Sequence, residues 1–355
     1  MTGAQLQYLC ITPDQPIREA LSLIDRNEKG IVLVVDAERR LLGTITDGDI
    51  RRAILAGTVI EEPVKVLLIE RAGPPVTAPV GTDRVNLLRL MQERRVRQMP
   101  LLNGDRHIVD LVMLDDLMPN HTPPLQAVIM AGGLGMRLRP LTETMPKPML
   151  PIGDRPLMER TVEKLRHAGI RQVSIATCYM GEKIVEHFGD GHTFGVDLSY
   201  VAEDFPRGTA GALALLPQPQ ETLLVINGDI MTDVDFRAMH AYHQEHQAAL
   251  TVGVRKFEMS VPYGVIESSG TFVSGIKEKP RLSFFVNAGI YLLEPGVHQH
   301  IPADQRFDMT DLIQLLLDMG QPVVSFPIIE YWLDIGQHAD YAQAQEHAQQ
   351  TKANL

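Results

Sequence analysis

The chain is 355 residues long with a formal net charge of -11, and 45% of its residues are hydrophobic. That length suits two or three globular domains, and the acidic balance argues against general nucleic-acid binding, which needs a basic surface. Two cysteines far apart in sequence, Cys10 and Cys178, argue against a disulfide framework or a thiolate metal site.

In chain order, the stretch 4–9 is short and carries two Gln residues, so it does not read as a signal peptide. No run of about 18 apolar residues is present to span a bilayer. A cytoplasmic protein without membrane association is expected.

The first 120 residues contain an internal repeat, with copies at about 11–57 and 78–118. Aligning Gly43 with Asp110 also aligns Asp49 with Asp116, a constant offset of 67. Each copy predicts a helix (17–26 and 85–94), a short apolar strand, a polar turn, a second strand and an acidic turn. A helix is expected after the acidic turn of the first copy. Two such β-α-β units would bury their faces against each other. Segment 57–77 links them, with Gly57, Pro63, Gly73, Pro74 and Pro75 marking irregular backbone. "MPNHTPP" at 118–124 reads as a domain boundary, giving a module at 1–120 and a second domain at 121–355.

Beyond that boundary the text alternates. Strands are predicted at 126–130, 171–180, 221–230, 249–255 and 285–295, and helices at 156–170, around 235–248 and at 310–319. This is the rhythm of a mixed α/β domain whose strand ends feed functional loops. The polar tail after Gln337 reads as an exposed helix with a frayed end.

"AGGLGMRLRPLTETMPKPML" (131–150) is the most informative stretch. Gly132, Gly133 and Gly135 follow a strand and would bring backbone N–H groups close to an anion. Arg137 and Arg139 supply fork-shaped donors, and Lys147 is a compact cation held between two prolines. The stretch lacks the Gly-Lys-Ser/Thr ending of the P-loop and the dinucleotide glycine spacing. A glycine cluster alone is as easily a tight turn. The combination with Arg137 and Pro-Lys-Pro describes a triphosphate cradle.

A triphosphate needs a hard cation with oxygen ligands. Asp229 ends the apolar run "LLVINGD", and Asp334 lies in "EYWLDIG". Two such acids from distant strands would share one metal, although each alone reads equally well as a turn residue. Asp233, Asp235, Asp308 and Asp311 begin or flank helices and read as caps. His240, His243 and His246 share a helix face, yet their polar surroundings favour an exposed helix over zinc.

In "EDFPRGTAGAL" (203–213), Gly208, Thr209, Ala210 and Gly211 precede a predicted Ala/Leu-rich helix. Small residues there would let a flat nucleobase or ribose approach, with Thr209 as the helix cap. In "IKEKP", Lys279 would meet a sugar phosphate and Glu278 sugar hydroxyls, against the plainer reading of an exposed charge run. Asn287 and Gly289 inside "FFVNAGIYLL" imply a ligand or a close neighbouring backbone.

Taken together, "GGLGMRLRPLTETMPKPMLPIGDRPLMER", "EDFPRGTAGAL", "NGD", "YGVI", "KEKP", "VNAGIYLLEP" and "WLDIG" resemble the motifs of sugar-1-phosphate nucleotidyltransferases over about 125–345. Met136 stands where that family usually has Thr. The resemblance implies a Rossmann-like mixed-sheet fold and Mg²⁺ dependence. It makes Arg137, Lys147 and Asp229 the catalytic set, with Asp229 and Asp334 holding the metal. Ala131, Gly132, Gly133, Gly135, Gly208, Thr209 and Gly228 join Arg137 and Lys147 in binding the nucleotide. Gly264, Glu278, Lys279 and Asn287 fall on the sugar-phosphate side.

Residues 11–117 resemble a tandem CBS pair, an α+β regulatory module that often binds adenine nucleotides. Thr44, Asp49 and Asp116 are its candidate ligand residues. The second copy departs from the pattern, with Asp110 for the expected Gly and Leu111 at the position matching Thr44, so a structural or dimerising role stays open. CBS plus transferase resembles the guanylyltransferases of nonulosonic (legionaminic) acid pathways, which implies GTP and glucosamine 1-phosphate as substrates and a homo-oligomer. Mannose or heptose 1-phosphate, and UTP, CTP or dTTP, would use the same visible motifs. A nucleotide-sensing CBS protein with a degenerate transferase domain is the alternative of another class.

Overall fold

The offset of 67 that aligns the two N-terminal copies is also an offset in hydrogen-bonded register. In a computed structural model, which describes residue 6 and residues 8–69, 73–117 and 124–353, each copy builds the same three-stranded sheet. The first has β1 (Cys10–Ile11) parallel to β2 (Ile31–Val35), which is antiparallel to β3 (Leu41–Thr46). The second repeats this with β4 (Ala78–Pro79), β5 (Gln98–Leu102) and β6 (Ile108–Met113). Val34 pairs with Gly43 and Leu101 with Asp110, and a bulge follows at the same place in both.

Helix Ile17–Asn27 lies on the first sheet because Ile17, Ala20 and Ile24 fall on one helical face. They pack with Val32, Val34, Ile45, Ile50 and Ala53. Burying a side chain of this size stabilises by about 1.5–3 kcal/mol. The other sheet face, with Ile31, Leu33 and Leu41, meets Leu111 of the second copy, as the repeat predicted. A helix follows the acidic turn in both copies, Asp47–Leu55 and Leu114–Leu117, and not only in the first.

The chain divides into two compact units, Met1–Thr122 and Pro123–Leu355. Of the expected boundary 118–124, all but Pro124 lies outside the described residues, as do 70–72 of the linking segment and residues 4, 5 and 7 of the stretch 4–9.

The second unit carries β7 (Leu125–Ala131), a small hairpin of β8 (Pro151–Ile152) and β9 (Arg155–Pro156), then β10 (Gln172–Thr177), β11 (Asp197–Ala202) and β12 (Thr222–Asn227). After β13 (Ile230–Thr232) come β14 (Leu250–Ser260), β15 (Val265–Ser269), β16 (Phe272–Lys277), β17 (Arg281–Leu293), β18 (Val323–Pro327) and β19 (Trp332–Asp334). Seven of them form one sheet in the order β11-β10-β7-β12-β17-β14-β18. The first four run parallel and β17 is antiparallel to both neighbours. This is the mixed α/β sheet the sequence implied.

Helices Leu157–His167 and Phe236–Glu245 cover this sheet through Met158, Val162, Leu165, Phe236 and Met239, against Ala127, Ile129, Ile175, Leu224 and Ile290. Strands buried on both faces explain the near-continuous apolar runs of β7 and β12. From β7 the chain steps outward to β10 and β11, then returns to β12 on the other side. The β7/β12 pair is therefore the topological switch point, where crevices form beyond the carboxyl ends of strands.

Three local expectations are corrected. The His-rich helix is not exposed: His240 and His243 are buried, and His243 bonds Thr251 Oγ1 and Glu294 Oε1 at 2.7 and 3.0 Å. No group of three His, Cys, Asp or Glu among the described residues could hold a metal. The C-terminal helix His338–Ala353 is not solvent-surrounded, because Ala344 and Ala348 are buried against Leu138, Leu150, Ile152 and Ile335. The predicted Ala/Leu-rich helix is only the single turn Gly208–Gly211 followed by a 3-10 turn, Ala212–Leu215. Among the described residues, no helix is long and apolar enough to cross a membrane.

Candidate active site

The glycine loop leaves the carboxyl end of β7 and the Asn-Gly-Asp turn leaves the end of β12, so adjacent parallel strands deliver both to one edge. Gly228 makes this close approach possible. Its N–H donates to the Met130 carbonyl at 2.8 Å, and a Cβ there would lie 2.8 Å from the same oxygen. Gly135 has φ +62, and a Cβ on it would meet Thr142 at 2.9 Å. The Thr142 hydroxyl donates to the Gly135 carbonyl at 2.8 Å and closes the loop.

Pro146 enters the following turn with extended backbone and Lys147–Met149 form one 3-10 turn. This carries the Lys147 side chain inward, where 9% of it stays exposed. Its Nζ lies 2.5 Å from Asp229 Oδ2 and 4.0 Å from Asp334 Oδ1.

Asp334 arrives from a hundred residues further on because β19 pairs antiparallel with β13, with Ile230 opposite Asp334. The Ile335 N–H donates to the Asp229 carbonyl at 3.1 Å. The Trp332 indole N–H, donating to the Ala288 carbonyl at 2.8 Å, ties β19 to β17. Burial pushes the Asp334 carboxyl above the ordinary value and the neighbouring Asp229 pushes it further, while Lys147 and Arg137 hold it down. Two carboxylates forced together with one ammonium between them have the hard-oxygen donor chemistry of a divalent-cation site.

A cleft of about 230 Å³ opens beside this cluster. Ala131, Gly132, Gly133, Lys147, Gly208, Thr209 and Asp229 of the expected site line it. Gly135 and Gly228 are not in the lining, but a Cβ on either would crowd residues of the loop and turn that border it. Arg137 is exposed and outside the lining, with its guanidinium beside Gly336 and close enough to Asp334 to act on it. Gly264, Glu278, Lys279 and Asn287 are exposed and do not line the cleft. Gly264 and Glu278 do approach each other, since a Cβ on Gly264 would lie 3.0 Å from Glu278 Oε2. Asn287 Oδ1 accepts from the Gly289 N–H at 3.0 Å. Gly289, at φ +70, leaves room for the Asn227 side chain.

Sequence reasoning passed over Glu203 and Asn227 and read Asp308 only as a helix cap, yet all three line the cleft. Glu203 is half buried, and that burial raises its carboxyl above the usual range. Asp308 does cap helix Met309–Asp318, with Asp311 in a capping box. It also accepts the Thr209 N–H at 3.0 Å. Thr209 does not cap its own helix: its hydroxyl accepts the Met309 N–H at 2.8 Å and fastens the floor of the cleft. Asp233 is no cap either, pairing with Lys164 at 2.5 Å.

In the first unit, Thr44 is buried on β3. Asp49 accepts from the Thr46 N–H and hydroxyl at 2.8 and 2.7 Å and from Arg52 at 2.7 Å. Its carboxylate is thus engaged in capping helix Asp47–Leu55. The equivalent Asp116 is exposed.

The nucleotidyl transferase family profile matches residues 126–351, nearly all of the second unit. The chain belongs to that family. The CBS domain profile matches residues 5–56 and 70–120, the two repeat copies. A UTP–glucose-1-phosphate uridylyltransferase of Synechocystis is 35% identical over 242 residues, covering 62% of this chain and 62% of that protein. The mannose-1-phosphate guanylyltransferase catalytic subunit beta of Danio rerio is 34% identical over 226 residues, covering 61% and 62%. The chain thus spans about 62% of the length of these relatives. A solved Bacillus anthracis structure, provisionally described as a glucose-1-phosphate thymidylyltransferase in complex with a sucrose, superposes with TM-score 0.52 and 28% identity, covering 63% of this chain and 95% of that one.

Proposed function

We propose that the chain transfers the nucleotidyl group of GTP to a sugar 1-phosphate, releasing pyrophosphate. The observation that carries this reading is the meeting of Lys147, Asp229 and Asp334 beside a glycine-lined cleft at the switch point. A phosphate oxygen of the sugar phosphate attacks the α-phosphorus, and the bond to the bridging oxygen of the β-phosphate breaks. The attacking group is already anionic, so no general base is needed. The harder task is bringing two anions together, and Lys147, with Arg137 and Lys279, would offset that repulsion. Asp229 and Asp334 fit a Mg²⁺ ion, which when bound would neutralise charge on the phosphate oxygens.

Glu203 supports guanine. A carboxylate in the cleft accepts the paired N1–H and N2–H donors of guanine, whereas uracil and thymine offer one donor flanked by two acceptors. Gly208 and Thr209 leave space for the flat base and ribose, and Glu278, Lys279 and Asn287 take the sugar-phosphate side. Glucosamine 1-phosphate is the sugar substrate this reading favours, because the CBS-plus-transferase order resembles guanylyltransferases of nonulosonic acid pathways. Mannose 1-phosphate is the second reading, favoured by the similarity to the Danio rerio guanylyltransferase subunit. The module at 1–120 would take an adenine nucleotide, and a cytoplasmic homo-oligomer with access to nucleoside triphosphates goes with this role.

The test is pyrophosphate release over a matrix of nucleoside triphosphates and sugar 1-phosphates. The highest kcat/KM is expected with GTP and glucosamine 1-phosphate. UTP outperforming GTP would overturn the base assignment. No turnover with any pair, from folded protein, would favour a nucleotide sensor instead.

A further inference from the structure

Five charged side chains line the cleft among the described residues: Lys147, Glu203, Asp229, Arg306 and Asp308. Lys147 and Asp229 belong to its phosphate and metal end, and Glu203 is assigned to the base. Asp308 caps its helix and accepts the Thr209 N–H at 3.0 Å. Arg306 is left without a task, although the segment that carries it is fastened to the one that carries Glu203.

Arg207, itself buried, does the fastening. Its N–H donates to Glu203 Oε2 at 2.9 Å, and its carbonyl accepts the Phe307 N–H at 2.8 Å. The Phe307 carbonyl then accepts the Ala210 and Gly211 N–H groups at 3.1 and 2.8 Å. Segments 203–211 and 306–308 are thereby locked into one wall, and a single residue sets the places of a carboxylate and a guanidinium. Arg306 Nη2 lies 3.2 Å from Asp308 Oδ2, while 71% of the Arg306 side chain stays exposed. Asp308 is held in turn by Thr209, so it steers the guanidinium. A guanidinium carries five N–H donors in a rigid fork. One contact to Asp308 leaves most of them for a ligand.

We propose that Arg306 reads the O6 and N7 acceptors of a guanine ring whose N1–H and N2–H donors are taken by Glu203. The inference deepens the proposed GTP-dependent transfer and rests on it. Guanine carries paired acceptors on one edge and paired donors on the adjoining one. A carboxylate and a guanidinium fixed in one wall are the complement of those two edges. Arginine matches O6 and N7 with two parallel bonds. Adenine turns an N6 amino donor toward the same cation, and uracil and thymine have no N7 to offer. One side chain thus favours guanine and rejects the other bases.

Removing one atom of the nucleotide together with the side chain tests the contact itself. The experiment measures kcat/KM for GTP and for 7-deaza-GTP, in which N7 is replaced by C–H, in the wild type and in Arg306→Met. The wild type is expected to favour GTP about tenfold, the scale of one lost base-edge bond. The ratio in Arg306→Met is expected to fall close to unity, and in Arg306→Lys to lie between the two. A merely structural role through Asp308 would not respond to N7, so equal ratios in wild type and Arg306→Met would overturn the proposal. Wild-type kcat/KM for UTP, measured alongside, separates the two levels of the claim. UTP preferred over GTP would remove the guanine reading and this inference with it. GTP preferred over UTP, with no penalty for 7-deaza-GTP, would overturn this inference alone.

Discussion

Lys147 Nζ stands 2.5 Å from Asp229 and 4.0 Å from Asp334, so a single ammonium holds together two acids separated by a hundred residues of chain. Lys147→Ala would leave the two carboxylates facing each other without their cation. Its kcat/KM is expected to fall about 10²–10³-fold, the scale of losing one preorganised electrostatic stabiliser. Steady-state pyrophosphate release checks the rate, and circular dichroism checks that the fold persists.

Glu203→Gln keeps the shape of the side chain but turns half of its acceptor face into a donor. The variant is expected to lose roughly 10–100-fold in GTP-over-UTP preference, the size of one bidentate base contact. Paired kcat/KM values for the two nucleotides give the ratio, and an unchanged ratio would remove Glu203 from base reading.

At Gly208, φ is +85 and a Cβ would meet Asp308 Oδ1 at 2.6 Å and the Phe307 carbonyl at 2.7 Å. Gly208→Ala is expected to destabilise the fold by about 1–3 kcal/mol, from left-handed strain and displacement of Asp308. KM for the nucleotide should rise as the cleft wall moves. Denaturant unfolding and substrate titration measure the two effects separately.

Burial pushes the His243 imidazole below its ordinary 6.5, with Glu294 pulling the other way. Because the folded value is depressed, its contribution to stability is fully present above pH 6.5 and is lost as pH falls through the folded value. Melting temperature is expected to drop as pH falls below about 6.5. His243→Gln should flatten that slope, and an equal slope in the variant would place the effect elsewhere.

Much of this fold was legible because its signals are local. The helix Ile17–Asn27 and the strands β7 and β12 announce themselves by apolar period and flanking turns, and the repeat by a fixed offset. The glycine loop, Lys147, Asp229 and Asp334 were legible as residue types in suitable settings. What brings them together was not. The β13–β19 pairing and the bond from Thr209 to Asp308, 99 residues away, are long-range contacts that leave no local pattern. Glu203 and Asn227 are single polar residues at strand ends, identical in text to ordinary loop residues. The helix with His240 and His243 misled because polar side chains were expected to face water. There, Thr251 and Glu294 supply bonding partners for buried His243 instead.

The most direct test of the central claim compares wild type with Asp229→Asn in GTP- and sugar-1-phosphate-dependent pyrophosphate release, with Mg²⁺ present and then chelated. Mg²⁺-dependent turnover in the wild type, at least about 100-fold lower in a variant of unchanged melting temperature, is the predicted result. Comparable turnover in the folded variant would contradict it.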